Sequence, residues 1–200
     1  GNTNMLSDYA AIKNGSYGKL MKAYYAKQDA EKLSGKGDTS QKLTLMKTSA
    51  DSLKKSADAL NDSSLWEKKK IKKKDEKTGE EIEVEDYDWD KITKAVKSFV
   101  EDYNDVVKEA GESNTKDVLR NASWMTGMTD KNSNMLAKIG ITIGKGNKLE
   151  LDEDALKQAD ISSLKTVFTG YNSFVSKISQ KATGISNAAN RASATYTNNG

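Results

Sequence analysis

Apolar residues recur at alternating intervals of three and four along one segment in the first half of the chain. The positions are Leu43, Met46, Ala50, Leu53, Ala57 and Leu60. This is the spacing of the a and d positions of a coiled coil, and it places all six side chains along one stripe of a helix. Residues 40–62 are therefore predicted to form a helix that packs against a partner helix.

A second segment, residues 89–110, shows the same helical periodicity. Its apolar positions are Ile92, Val96, Phe99, Val100, Tyr103, Val106 and Val107. Asp88 or Asp90 is expected to cap the start of this helix, because a carboxylate there accepts from free backbone N–H groups. Gly111 is expected to end it.

The last predicted helix begins near Ser163 or Tyr171 and runs to Tyr196. Its apolar positions at heptad-like spacing are Tyr171, Phe174, Ile178, Ala182, Ile185, Ala189, Ala192 and Tyr196. Together the three stripes predict seams at which helices pack on one another or on partner subunits. The seam residues are Leu43, Met46, Leu53, Leu60, Ile92, Val96, Phe99, Tyr103, Val107, Phe174, Ile178 and Ile185.

Charge rather than hydrophobicity distinguishes residues 65–88. A basic run, 68–74, is followed by an acidic run, 80–86, in which Ile82 and Val84 alternate with acids. This period of two predicts a β-hairpin whose basic arm faces its acidic arm, with cross-strand charge pairs setting the register. A solvated ribbon is favoured over a nucleic-acid site, because the acidic arm would repel phosphate.

Shorter elements connect these segments. Residues 139–151 alternate around a glycine-rich turn and predict a second, small β-hairpin. Asp152 is expected to start a helix after it, and residues 114–127 predict a further short helix. Residues 5–32 are predicted to hold a short segment, a turn and a helix.

The predicted fold class is mainly α: an elongated, antiparallel, coiled-coil-like helical bundle with two small β-hairpins. We expect an N-terminal helical segment, 1–64, a charged hairpin insertion, 65–88, and a C-terminal helical region, 89–200, with its small hairpin at 139–151. The absence of proline from the sequence favours long uninterrupted helices.

Cysteine and histidine are absent too, and this narrows the possible chemistry. Without them there is neither a thiolate nucleophile nor an imidazole base, and the usual zinc, haem and iron–sulfur ligands are missing. We therefore expect no enzyme, no cofactor and no metal site. The formal net charge is only +3, so it gives no strong argument for a nucleic-acid or membrane partner. No apolar run approaches the roughly 18 residues that would span a membrane.

Three local patterns have alternative interpretations. The glycines between Gly140 and Gly146 match neither nucleotide-binding fingerprint and are interpreted as turn residues. The acids at 152–154 are interpreted as helix N-terminal residues rather than as calcium ligands or catalytic carboxylates. The aromatic residues Trp66, Tyr87, Trp89 and Trp124 either stack on carbohydrate or pack against the helices, and packing is favoured.

Ordered motifs in the C-terminal half resemble a known family. They are Phe99-Val-Glu-Asp-Tyr103-Asn104, Leu136-Ala-Lys-Ile-Gly140-Ile141, Leu149-Glu-Leu151-Asp152 and Val167-Phe168-Thr-Gly170. Over about residues 92–196 the chain resembles the C-terminal region of the flagellar filament cap protein, hook-associated protein 2. That family has large β-rich head domains, where this sequence has only the short charged insertion.

The resemblance implies a secreted, non-catalytic structural subunit of the extracellular bacterial flagellum that assists flagellin assembly at the filament tip. Its implied partners are further copies of itself, flagellin and other hook-associated proteins, without nucleic acid and without membrane insertion. An alternative is a surface-exposed adhesin that uses the aromatic and charged ribbon to contact host glycans or proteins.

Overall fold

The computed structural model describes residues 37–199, with side chains described as far as Thr195. The helix and turn predicted between Met5 and Lys32 lie outside the described residues, as does the side chain of Tyr196. Within residues 37–199 the chain forms seven α-helices and two antiparallel sheets of two strands each. The predicted fold class, mainly α with two small hairpins, is confirmed.

The elements follow one another in a simple order. The helices are α1 Ser40–Leu60, α2 Trp89–Gly111, α3 Lys116–Lys131, α4 Ser133–Ala137, α5 Glu153–Gln158, α6 Ile161–Phe168 and α7 Phe174–Asn199. The strands are β1 Lys69–Lys74, β2 Glu81–Asp86, β3 Ile141–Ile143 and β4 Leu149–Leu151. Short 3-10 turns lie at Ser63–Trp66 and Lys145–Asn147.

The two helices predicted most directly, α1 and α2, form where the apolar periodicity placed them. The Thr39 hydroxyl accepts a hydrogen bond from the Lys42 N–H, and Asp88 accepts one from the Lys91 N–H. These contacts satisfy backbone donors that the first turn of a helix leaves without a partner. Each helix then buries the one apolar stripe that its sequence provides.

Helix α1 packs along both α2 and α7, and α3 packs along α7. The α1–α7 pair is antiparallel, because Asp51 bonds Ser186 whereas Asp58 bonds Ser179. The apolar stripes of these helices form one continuous core together with residues of the small hairpin and α6. The predicted antiparallel bundle is therefore confirmed for the described residues.

Of the two predicted starts of the last helix, Ser163 is wrong, whereas Tyr171 is only three residues before the observed start at Phe174. The chain forms α6 and α7, and the residues between them are not helical. Gly170 has a φ of +102°, a left-handed conformation that interrupts the helix, and the Ser173 hydroxyl accepts from the Ser176 N–H to start α7. Tyr171, which we placed on the apolar stripe, is 86% exposed and lies in this break.

The connecting region is also more helical than predicted. The short helix expected at 114–127 extends to Lys131, so Gly127 lies inside α3 rather than at its end. Helix α4 was not predicted at all. It turns the chain back so that Leu136 and Ile139 enter the core ahead of the small hairpin.

Both predicted hairpins are present. In the small one Ile141 lies opposite Leu151, and Gly146 and Asn147 adopt positive φ angles of 67° and 66° in the turn. In the charged ribbon, β1 and β2, Lys70 lies opposite Glu85. Basic residues thus face acidic ones as predicted, but Lys73–Asp86 is the one ion pair that closes within the described ribbon, so charge pairs directly opposite each other do not fix the register.

Candidate assembly surfaces

The twelve predicted seam residues come together inside the chain. Leu53, Ile92, Val96, Phe99, Tyr103, Ile178 and Ile185 have no exposed surface, and Leu43, Met46, Leu60, Val107 and Phe174 are at most 4% exposed. Phe99 is at the centre, with its ring 6.5 Å from that of Phe168 and 6.3 Å from that of Phe174. Because these side chains already cover one another, the described residues leave the outer faces of the helices and the charged ribbon open to a partner subunit. A role for the seams in assembly stays a prediction.

A repeating polar contact fixes the axial position of α1 against α7. Asp51 and Asp58 are one heptad apart, and each accepts a hydrogen bond from a serine hydroxyl of α7, Ser186 at 2.6 Å and Ser179 at 2.7 Å. The second oxygen of each carboxylate pairs with a lysine four residues earlier, Lys47 at 2.7 Å and Lys54 at 2.6 Å. Sliding α7 by one turn would break both contacts at once. Sequence analysis missed this ladder, although the two aspartates and the two serines are each seven residues apart in the sequence.

The pKa of Asp51 reflects this ladder. Partial burial acts to raise it, but hydrogen bonds from Lys47 and Ser186 and the positive charges of Lys47 and Lys55 outweigh burial and hold the pKa below 3.8. The fold therefore stabilises the ionised carboxylate. That contribution is fully present above pH 3.8, the value expected for the unfolded chain, and is lost as the pH falls through the lower folded value.

We expect Asp51→Asn to lower the melting temperature at neutral pH and to have progressively less effect as the pH falls below 3.8. The free-energy difference should not exceed about 1 kcal/mol, because solvent screens a carboxylate that is partly exposed. Thermal unfolding of both proteins across this pH range measures it. A difference that stays constant, or grows on acidification, would contradict the assigned role of the ionised carboxylate.

Two asparagine side chains hold distant backbone segments by paired hydrogen bonds. Asn104, on α2, accepts from the Leu149 N–H at 2.7 Å and donates to the Leu149 carbonyl oxygen at 3.0 Å, so the small hairpin is fixed to α2. Asn61, after α1, makes the same pair of bonds with Gly170, at 2.8 and 3.2 Å. Both clamps close over long sequence separations, so the sequence alone gave no signal for them.

These contacts explain the motif at residues 99–104. Phe99 fills the core, while the Tyr103 hydroxyl donates to the Thr129 hydroxyl at 2.8 Å across to α3. Complete burial raises the pKa of Tyr103 well above its usual value of 10.0, so this phenol remains a neutral donor. Asn104 then binds the hairpin. The motif connects α2 with three other parts of the fold and does not form a reactive site.

A further buried acid anchors the connection between α2 and α3. Asp38 is 4% exposed and accepts from the Ser113 hydroxyl at 2.6 Å, the Asn114 N–H at 2.7 Å and the Thr115 hydroxyl at 2.5 Å. The hydroxyl of Thr115, the residue before α3, does not cap the helix itself. Asp38 thus ties the start of the described chain to the far end of α2. Its role could not be predicted, because its partners lie some 75 residues away.

The aromatic residues do not form a shared carbohydrate-stacking surface. Trp66 is buried, stacks on Phe168 at 5.6 Å, and donates its indole N–H to the Leu60 carbonyl oxygen at 2.7 Å. Tyr87 and Trp89 pack edge to face at the base of the ribbon. Trp124 is separate from them: it is 51% exposed on α3 and lies under the Lys181 ammonium group of α7.

The acidic and glycine-rich patterns have structural roles. Asp152 accepts from the Ala155 N–H and caps α5, in which Glu153 and Asp154 form the first turn. Gly140, at φ +93°, lies so close to α5 that a Cβ there would be 2.7 Å from the Asp152 carbonyl oxygen. Residues 37–199 contain no group of three or more acidic side chains that could hold a metal ion.

In the described part of the chain, no helix is long and apolar enough to cross a membrane.

Comparisons with known proteins gave one family match: residues 111–200 match the flagellar hook-associated protein 2 C-terminus. Neither the curated proteins nor the solved structures contain a match to this chain.

The matched region begins at Gly111, the last residue of α2, so the motif at residues 99–104 lies outside it. It includes the small hairpin, the motif ending at Gly170 and the whole of α7, which are the other elements that the resemblance drew on. The C-terminal resemblance is confirmed over this part of the chain. Residues 111–200 are therefore similar to the flagellar hook-associated protein 2 C-terminus, the family that the ordered motifs indicated.

Proposed function

We propose that this chain is a non-catalytic structural subunit of a bacterial flagellum, located outside the cell, which assists flagellin assembly as a filament cap does. The observation that carries the proposal is the match of residues 111–200 to the flagellar hook-associated protein 2 C-terminus. The proposed partners are flagellin, other hook-associated proteins and further copies of this chain.

The packing of the helices supports a role as a preassembled body. A subunit that guides assembly benefits from fixed geometry, because ordering segments during binding would cost conformational entropy. The buried core, the Asp–Ser ladder and the two asparagine clamps each fix one helix or hairpin against another. Partner contacts then fall to exposed groups, among them Trp124, Tyr171 and the ribbon.

The test is flagellin polymerisation in the presence of the purified chain. We expect a complex with flagellin monomers by size-exclusion chromatography and a changed rate of filament growth by light scattering. The proposal is wrong if the chain neither binds flagellin nor alters polymerisation.

A variant that lacks residues 67–87 tests whether the ribbon contributes to the effect on flagellin. The ends of the ribbon lie side by side, with Lys69 opposite Asp86, so this deletion is expected to leave the bundle intact. Because the family match lies entirely beyond the ribbon, the variant should retain the effect on flagellin. Loss of the effect would move the proposed flagellin contact to the ribbon.

Adhesion to host glycans or proteins is a second candidate function, and the exposure of the ribbon supports it. None of the twelve residues in β1 and β2 is buried. The buried Trp66 cannot take part, so such binding would use charged side chains and the aromatic pair Tyr87 and Trp89. The variant without residues 67–87 tests this function too: unchanged binding to host glycans and proteins would contradict adhesion through the ribbon.

A further inference from the structure

Both edges of the charged ribbon are open for strand pairing. The Asp75 N–H donates to the Glu80 carbonyl oxygen at 2.8 Å, and this pair continues the register of β1 and β2. Hydrogen-bonded pairs alternate along an antiparallel ladder, so Lys73, Ile71 and Lys69 bond inward. The backbone groups of the intervening residues point outward, those of Lys70, Lys72 and Lys74 from one edge and those of Glu81, Glu83 and Glu85 from the other. Within the described residues these groups bond no other element.

The two open edges carry opposite charges. One edge presents three lysines and the other three glutamates, and all six side chains are exposed on the same face of the ribbon. None of the six forms an ion pair within the described part of the chain. The basic edge and the acidic edge therefore complement each other in charge as well as in backbone hydrogen bonding.

We propose that the ribbon joins copies of this chain edge to edge, the basic edge of β1 in one copy pairing with the acidic edge of β2 in the next. The added strands continue the antiparallel order, and lysines and glutamates then alternate across one face of the shared sheet. This self-association extends the proposed structural role. It rests on that role only because edge pairing requires copies to meet at high local concentration.

Charge also determines which edges can pair. Lysines on an exposed edge normally prevent pairing with other chains, but that protection acts against an edge of the same sign. Two basic edges, or two acidic edges, would place like charges opposite each other. Each copy therefore has one basic edge and one acidic edge, so the interface is head to tail. Further copies can add until the series closes into a ring or ends.

The opposite face of the ribbon adds an apolar contribution. Ile71, Ile82 and Val84 lie on it, and Ile82 remains 38% exposed in the single chain. Strand addition places the apolar row of one copy beside that of the next, so part of this exposed surface leaves water. The association should therefore weaken, but not vanish, as salt screens the charges of the other face.

A charge-exchange variant tests the pairing without disturbing the ribbon itself. It carries Lys70→Glu, Lys72→Glu and Lys74→Glu together with Glu81→Lys, Glu83→Lys and Glu85→Lys. Basic residues still face acidic ones within each ribbon, so the variant should fold and self-associate like the original chain. When β1 of one protein pairs with β2 of the other, however, lysine lies against lysine or glutamate against glutamate. Cross-association should be weaker than self-association by about tenfold or more, since three cross-strand pairs change sign.

Self-association is measured by light scattering of each protein over a range of concentrations. Cross-association is measured by fluorescence energy transfer between labelled copies in the mixture. Equal cross-association and self-association would overturn the proposal, as would an original chain that stays monomeric at every concentration. A second variant, Lys72→Pro, removes an outward N–H while leaving the inner ladder bonded, and it should also stop growth of the series. Unchanged association of this variant contradicts edge pairing. Flagellin polymerisation, measured separately, distinguishes failure here from failure of the proposed function.

Discussion

Phe99→Asp is expected to abolish the cooperative thermal unfolding transition of the bundle. Phe99 has no exposed surface, and its ring contacts rings from α2, α6 and α7. An aspartate there would leave a charge without a partner in the core and remove the ring that those helices share. The expected loss is several kcal/mol, a large part of the roughly 5–15 kcal/mol that stabilises a typical domain. Circular dichroism during heating measures the transition.

Ser98→Asp is the matched control for this substitution. It introduces the same residue one position earlier on α2, at an exposed position, and should leave the melting temperature nearly unchanged. Leu53→Asp, at the fully buried centre of α1, should repeat the effect of Phe99→Asp. If both buried variants unfold at the original temperature, the assignment of these residues to the core is wrong.

The second-largest effect is expected from Asp38→Ala. The change removes the acceptor for the Ser113 hydroxyl, the Asn114 N–H and the Thr115 hydroxyl together. Hydrogen bonds to a charged group each contribute about 1.5–3 kcal/mol, but released donors regain some bonds to water, so we expect a total loss of about 2–4 kcal/mol. Urea unfolding with an unchanged slope against denaturant concentration would measure it.

Two further variants separate the anchor from a general effect of charge. Asp105→Ala removes an exposed acid from α2 and should change the free energy of unfolding by no more than about 0.5 kcal/mol. Asp38→Asn keeps one carbonyl oxygen as an acceptor, so its free energy of unfolding should lie between those of Asp38→Ala and Asp105→Ala. Equal stability of Asp38→Ala and Asp105→Ala would show that the buried contacts contribute nothing.

The sequence was sufficient to predict the elements whose apolar periodicity is regular. The stripe from Leu43 to Leu60 is buried throughout its six positions, and the stripe of α2 is buried from Ile92 onward. Regular spacing succeeds here because one helix face must leave water, and the sequence records which face that is. The charged ribbon was equally predictable, since a period of two with charges of opposite sign has few other interpretations.

The break between α6 and α7 shows where periodicity misleads. Tyr171 continues the heptad spacing of Phe174 and Ile178, yet it is 86% exposed because the left-handed Gly170 turns the chain just before it. Spacing reports which residues would share a face if the helix continued, but it does not report whether the helix continues. Gly170 was the available signal for the break, because glycine adopts the left-handed conformation that interrupts a helix.

The polar contacts were largely beyond sequence analysis. Asp38, Asn61 and Asn104 bind backbone groups that are 45 to 109 residues away, so the partners are defined only by the fold. The Asp–Ser ladder is an exception. Aspartates seven residues apart on one helix and serines seven residues apart on another could have indicated an antiparallel pair, had the two spacings been compared.

Burial of the seams changes what assembly would require of this chain. Were the seams of α1, α2 and α7 open, partner subunits could complete the bundle by inserting a helix. Within the described residues they are covered by one another, so a partner would have to displace a packed helix or bind elsewhere. The exposed ribbon and the polar helix faces are the surfaces that need no such displacement.

Amide hydrogen exchange of the isolated chain tests this account most directly. At a concentration where light scattering gives the mass of a single chain, the account predicts slow exchange along the buried stripes of α1, α2 and α7, because opening them requires unfolding of the bundle. Added flagellin should leave these rates little changed. Fast exchange in the single chain, followed by protection of the same helices once flagellin or further copies are added, would contradict the account and show that the seams close only on assembly.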